Sequence, residues 1–344
     1  MLNSKKMKWI VVCLIGLMVV ASLTGCSPAE PEVGEGELTD VNIRLSWFFK
    51  GEFTHLVVAK ELGYFEEEGL NVEIREGNEK VIPTQLLVNG EDDFAYIAAS
   101  DMLIAVNEGM DLVMPMCALQ KNPVGVISFP EAGILSPQDM VGKSIIDTAG
   151  GSLSSFWEPF LRTNNVDPDD VELIIADWGA KNTSLLNGTV DGVSAFATNE
   201  LASLTIEEGK DFNFFAASDY GYNLMAHGII TSREYFDNNP EVVAGMVRGL
   251  QRGMQYMIEN PEEAARIATE AYPEESVLEI NVAQVKETIE YFHTPRSEGK
   301  PLGWVELADL QDTADILFES GAIGNEIQNL EDLFTNEFID ESIK

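Results

Sequence analysis

Cysteine is nearly absent from this chain. Its 344 residues hold only Cys13, Cys26 and Cys117, too few for a disulfide framework or a cysteine-rich metal site. The three histidines, His55, His227 and His293, lack the spacing of a zinc motif, so neither metal nor cofactor is expected. Basic residues are few: 21 Lys and Arg stand against 58 Asp and Glu, a net charge of −37. That balance excludes nucleic acid as a partner, because phosphates would be repelled. It also disfavours adhesion to anionic lipid through protein charge. Enzyme signatures are missing as well. There is no GxSxG, no HExxH and no Cys/His pair at a useful spacing, and carboxylates are too numerous for any pair of them to carry information. The expectation is a protein that is not an enzyme.

What the chain does have begins at its N-terminus. Lys5, Lys6 and Lys8 precede an apolar run over 9–23, which is short for a membrane span of about 20 residues and reads as an export signal. The run ends Leu23-Thr24-Gly25-Cys26, a match to a bacterial lipobox, in which the Cys is lipidated and the chain is cut before it. Residues 1–25 are thus expected to be a lipoprotein signal peptide. Residues 26–40, rich in Pro, Gly and Glu, are expected to be a solvated tether. Acyl chains on Cys26 would hold the body at the extracytoplasmic face of the cell membrane, each buried methylene contributing about 0.8 kcal/mol. Without Lys5, Lys6 and Lys8 the balance becomes 18 basic against 58 acidic, a net of −40.

The stretch 41–69 organises the rest. Val41, Ile43 and Leu45 alternate with polar residues at the period of a strand. Thr54 is placed to cap a short helix that Gly63 ends. Trp47, Phe48, Phe49 and Phe53 then fall at the strand's carboxyl end, where open α/β sheets place ligands. Further strands are predicted over 71–75, 93–98 (including Tyr96) and 112–119, a βαβαβ pattern with a parallel core; Ser100 or Asp101 is placed to cap the helix before the last of these. The pattern breaks at Gln120-Lys121-Asn122-Pro123. After a strand over 144–147, Gly150, Gly151 and Ser152 open a helix. A glycine-rich turn at a helix N-terminus offers free N–H groups to an anionic or carbonyl oxygen. Glu200 lies where a strand over 192–197 meets a helix, either complementing the helix dipole or accepting from ring N–H or amino groups of a ligand. Tyr220-Gly221-Tyr222 makes a turn, and 226–231 returns as an apolar strand. From 239 onward the chain is mostly helical, with methionines at core spacing.

With these residues in place the chain resembles the solute-binding proteins of ABC importers for nitrate, sulfonates and thiamine precursors. Within them it is most similar to the branch that binds thiamine's pyrimidine precursor and to its riboflavin-binding relatives. The resemblance rests on Trp47, on Ala59 with Gly63-Tyr64-Phe65, on Gly69-Leu70 and Val72, on Ser136-Pro137 through Lys143, on Glu259 to Ala264, and on Gly303-Trp304. It covers nearly the whole mature chain.

The resemblance implies an α/β type 2 periplasmic-binding-protein fold, with two lobes, two hinge crossovers and a ligand cleft. Lobe 1 would be 41–121, lobe 2 would be 122–223, and 224–344 would return to lobe 1. It implies an ABC permease and its ATPase as partners, and a monomer. Trp47 matches the family's stacking Trp. Pyrimidine-precursor binders have a His six residues later; here Phe53 stands there, as in the riboflavin-type branch. Glu200 matches an acid of the pyrimidine-precursor binders, although Ala197 and Asn199 replace the aromatics beside it. The expected ligand is a small aromatic heterocycle held by Trp47, Phe48, Phe53, Tyr96, Asn122, Gly150, Gly151, Ser152, Glu200 and Tyr222. The alternative in the same fold is a sulfonate, taurine or nitrate-type anion met by Lys50, Lys121 or Lys181, all three expected in loops. A pyrimidine-precursor synthase is a remote third, since it would need a cysteine cluster that this chain lacks.

Overall fold

Ten strands form two sheets of five in the computed structural model, which describes residues 38–344 apart from Glu79, Ala149, Gly150 and Ser152. The expected signal peptide and Cys26 lie outside the described residues. The first sheet contains β1 (Thr39–Leu45), β2 (Leu70–Arg75), β3 (Phe94–Ala98), β4 (Leu112–Cys117) and β10 (His227–Ser232), in the order β2-β1-β3-β10-β4. The second contains β5 (Val124–Ser128), β6 (Ser144–Thr148), β7 (Glu172–Ala176), β8 (Gly192–Phe196) and β9 (Asn213–Ala216), in the order β7-β6-β8-β5-β9.

Each sheet has one antiparallel strand. β10 runs against β3 and β4, and β5 runs against β8 and β9. These are the first strands after the chain passes from one sheet to the other, so each passage enters its new sheet from the opposite end. The two passages are tied together. The Asn122 amide N–H donates to Asn223 Oδ1 at 2.9 Å, Asn122 Nδ2 donates to the Leu224 carbonyl at 2.8 Å, and Asn223 Nδ2 reaches the Gln120 carbonyl at 3.4 Å.

The alternation in β1 buries Val41, Ile43 and Leu45. A 3₁₀ turn, Gly51–Phe53, then runs straight into the helix Thr54–Glu61. Here the sequence expectation needs correction. Thr54 does not cap that helix. Its N–H bonds to the Gly51 carbonyl as part of the preceding turn, and its hydroxyl has no protein partner. Likewise the helix Ala99–Asn107 begins directly at the end of β3, with Ala98 at the capping position rather than Ser100 or Asp101.

The helix Thr54–Glu61 is pressed into place by the long helix Pro240–Glu259. A Cβ at Gly253 would run into the His55 carbonyl oxygen and the Ala59 side chain. Glycine is therefore what lets the two helices approach, and the methionines of the long helix, Met246, Met254 and Met257, fill the core around them. Among the described residues no helix is long and apolar enough to cross a membrane. Gly253→Ala should destabilise the protein by about 1–3 kcal/mol through overpacking against backbone. Chemical denaturation of the two proteins measures it, and equal midpoints would show that the helices can separate without cost.

Candidate ligand site

Strand ends and the loops that follow them bring four rings together. Phe53 comes from the turn after β1, His55 from the first turn of the next helix, Tyr96 from β3, and His227 from the start of β10. Tyr96 stacks on His227 with centroids 5.6 Å apart and planes 14° apart. Phe53 meets Tyr96 edge-on at 5.9 Å, and His55 lies 5.2 Å from Tyr96 on a tilted plane. The arrangement lies at the carboxyl ends of β1 and β3. Because β10 is antiparallel, its first residue arrives at that same end.

The polar atoms of this group are unusual. Tyr96 Oη, both ring nitrogens of His55, His227 Nδ1, Thr54 Oγ1 and both side-chain amide atoms of Gln120 are buried and have no partner within the protein. Buried polar atoms are almost always hydrogen-bonded, and each orphan costs on the order of 1–3 kcal/mol. Four of these seven atoms belong to the adjoining rings of His55, Tyr96 and His227, which makes that cluster the candidate ligand site. His227 Nε2 does have a partner, the Ser46 hydroxyl at 3.2 Å.

Electrostatics make the site neutral. Burial pushes His55 down to about 3, helped by the neighbouring His227, and burial alone takes His227 down to about 4. Burial also raises the Tyr96 phenol well above its ordinary range. Glu52, in the turn beside Phe53, is pushed up to about 7 by burial against the opposite pull of a hydrogen bond from Thr198. That bond, Thr198 Oγ1 to Glu52 Oε2 at 2.9 Å, joins the turn after β1 to the turn after β8. Gln284, on the helix Leu278–Ile289, makes a second link. Its Oε1 accepts from the Gly51 N–H at 2.9 Å, and its Nε2 donates to Asn199 Oδ1 at 3.0 Å. A Cβ at Gly51 would collide with Gln284, so only glycine permits that contact.

The other expected contacts lie in different places. Trp47 is half-buried at the rim and meets the exposed Phe48 edge-on at 5.7 Å. Glu200 sits in a π turn, Ala197–Leu201, with both oxygens engaged: Oε2 accepts from the Phe196 N–H at 2.9 Å, and Oε1 pairs with Lys181 Nζ at 3.4 Å. Lys181 is not in a loop; it is buried in the helix Trp178–Leu186. The Asn122 side chain is used up in tying the two passages, donating to Leu224 and accepting from the Val124 N–H. Tyr222 packs against Phe156 and Phe160, apart from the row of rings.

Gly150 and Ser152 lie outside the described residues. At Gly151 a Cβ would strike the Asp147 carboxylate, which accepts from the Thr148 N–H at 2.8 Å and the Ser154 N–H at 2.7 Å. His55, His227, Glu52 and Gln120 were missed by sequence reasoning. Two of three histidines falling just after or at the start of strands on one sheet was the available signal, and it becomes readable only once β10 is known to be antiparallel. A cavity of about 640 Å³ is lined by Lys121, Asp219, Arg296 and Asp309 among others, and by none of the four rings. Its two cations are paired with its own acids, Lys121 with Asp219 and Arg296 with Asp309.

Two sheets joined by two tied passages, with a buried polar site at the strand ends between them, define the periplasmic-binding-protein fold. A family model described as "NMT1/THI5 like" matches residues 50–264, and the chain belongs to that family. A formylaminopyrimidine-binding protein of Halalkalibacterium halodurans is 28% identical over 75% of this chain and 77% of its own length. The riboflavin-binding protein RibY of Chloroflexus aurantiacus is 21% identical over 95% and 97% respectively. A 4-amino-5-hydroxymethyl-2-methylpyrimidine phosphate synthase of Legionella pneumophila is 25% identical over 68% of this chain and 74% of its own. Among solved structures, the aliphatic sulphonate binding protein SsuA of Escherichia coli superposes with a TM-score of 0.68 at 14% identity, covering 87% of this chain and 99% of that one. That last likeness concerns the fold.

The two shifted groups predict opposite pH responses. Between its ordinary 4.5 and about 7, Glu52 keeps its proton in the folded chain and loses it in the unfolded one, so raising pH through that window removes stability. His55 behaves in the reverse sense. It is neutral when folded down to about 3 but protonated when unfolded below its ordinary 6.5, so stability falls as pH drops from 6.5 toward 3. Glu52→Gln removes only the first effect. Its stability relative to wild type should rise from about pH 5 to about pH 8 in urea denaturation; a constant difference would contradict a protonated Glu52.

Proposed function

We propose that this chain is the extracytoplasmic solute-binding component of an ABC importer and that it captures a small, flat aromatic heterocycle, a thiamine pyrimidine precursor or a riboflavin-like ring. The observation that carries this is the row of Phe53, Tyr96, His227 and His55, whose unpartnered polar atoms await hydrogen bonds inside apolar walls. Binding pockets combine such walls with a few placed polar groups, and ring stacking adds about 0.5–1.5 kcal/mol per pair beyond burial. Segments 41–121 and 224–344 would form one jaw and 122–223 the other, closing on the ligand at the passages held by Asn122 and Asn223. Cys26, after a signal peptide over 1–25, would carry the lipid that holds a monomeric body near its permease and ATPase.

The same geometry speaks against a small anion. Lys181 is neutralised by Glu200 and Lys121 by Asp219. Lys50 lies beside Glu52, whose charge it offsets. Cys117 is buried with its thiol pushed up by burial, which speaks against a nucleophilic role for it.

Tryptophan fluorescence titration with 4-amino-5-hydroxymethyl-2-methylpyrimidine, riboflavin and thiamine tests the reading. One of them should quench the emission and raise the melting temperature, and Trp47→Ala should weaken that binding by about tenfold. No quench and no thermal shift with any of the three would sink it.

A further inference from the structure

Two passages carry the chain from sheet to sheet, and the helix Leu278–Ile289 bridges the sheets a third time. Its start is tied to the helix Pro261–Ala271, where Asn281 Nδ2 donates to Thr269 Oγ1 at 3.0 Å. Its middle grips both sheets through one buried side chain, Gln284. Gln284 Oε1 accepts from the Gly51 N–H, just after β1. Its Nε2 donates to Asn199 Oδ1 and to Ser203 Oγ at 3.3 Å, both just after β8. The end of the helix grips a passage. The Tyr291 carbonyl accepts from the Gln120 and Lys121 N–H groups at 2.9 and 3.2 Å, and Lys121 Nζ stands 5.5 Å from the centre of the Tyr291 ring. Two turns of helix, about 10 Å, separate the grip of Gln284 from that of Tyr291.

We propose that the helix Leu278–Ile289 is the axle on which the two jaws turn, and that Gln284 is its positioning residue, holding the turns after β1 and β8 to one line while the rest of the two sheets swings. This rests on the two-jaw reading above and not on the identity of the ligand. The grip lies in packed interior. Ala197, from the turn after β8, is buried in the same core as Phe53, Leu56 and Val285, and Leu201 packs against that core. Prying the turn Ala197–Leu201 from the helix would expose this apolar surface and break the bonds that Gln284 holds on both sides. A packed apolar contact across a domain boundary resists separation. Bodies that keep such a contact can move only by turning about it. The residues that would absorb the turn are those at element ends, where hinges lie. Both turns held by Gln284 follow directly on strands, and Gln120 and Lys121 follow β4. Two grips along one helix define a line, so closure becomes a rotation with one degree of freedom.

Two measurements on the ligand-free full chain test this: hydrogen exchange at the Gly51 and Gln120 amides, and the radius of gyration from solution scattering. In wild type both amides should be as protected as those of β3, because an axle stays closed when the jaws open. Gln284→Leu keeps the bulk and removes the grip. It should speed exchange at Gly51 by about tenfold or more and raise the radius of gyration. Asn199→Ala combined with Ser203→Ala strips the grip from the other side and guards against a Gln284 variant that does not fold. It should raise the radius and leave Gly51 protected. Gln251→Leu controls for lost stability alone. Gln251 is equally buried but bonds only the backbone of Leu302 and Asp340, so its loss should lower the denaturation midpoint and leave the radius unchanged. Free exchange at Gly51 in wild type would overturn the axle, as would wild-type scattering in either grip-deleting variant. Bound 4-amino-5-hydroxymethyl-2-methylpyrimidine separates the two claims. If it compacts wild type while the variants scatter as wild type does, only the axle falls. If bound ligand and variants all leave the scattering unchanged, the two-jaw reading falls with it. Failure of this compound to bind counts against the heterocycle reading alone, since the exchange and the variants are read without ligand.

Discussion

A single hydrogen bond, Thr198 to Glu52, joins the two sheets at the site itself. It is made by a carboxyl group that burial pushes up to about 7, so that its neutral form persists well above the ordinary carboxylate range. An ionised carboxylate in that position carries a desolvation penalty that the nearby Lys50 offsets only in part. The neutrality of the site is therefore a condition for bringing the sheets together. His55, His227 and Tyr96 obey the same condition, each held uncharged by burial. Gln284 adds a second link that carries no charge, and Gly51 makes room for it.

Much of the fold was legible from periodicity. The alternation of Val41, Ile43 and Leu45 marked β1, the break at Gln120 to Pro123 fell between β4 and β5, and the apolar run after Tyr222 became β10. These features are local, and local pattern reads them. The direction of β10 and β5 is not local. It follows from which sheet the strand joins, and nothing within residues 227–232 encodes it. That gap explains why His227 was passed over. Its partners, Tyr96 and Ser46, lie more than a hundred residues earlier in sequence.

The polar contacts were the least legible part. Asn122, Glu200 and the glycine-rich turn were each chosen because a polar group stood beside a strand end. The Asn122 and Glu200 side chains prove to be satisfied within the protein, Asn122 by the passages and Glu200 by Lys181 and the Phe196 N–H, while Gly150 and Ser152 of the turn lie outside the described residues. A sequence shows that a polar group is present but not whether a neighbour has already claimed it. Aromatic residues were easier, since the large apolar rings of Phe53 and Tyr96 favour burial, and both are fully buried.

The placement of β10 bears on how the chain folds. β3 and β4 do not pair with each other; β10 stands between them. The first sheet stays divided until residues 227–232 arrive, while the second, contained within residues 124–216, needs nothing from either end of the chain. A chain emerging N-terminus first would thus complete its second sheet while its first is still open. The closure that follows is between strands far apart in sequence, a kind of contact that forms slowly. Until then β1, β2 and β3 can pair among themselves, while β4 waits for the one strand of its sheet that it joins.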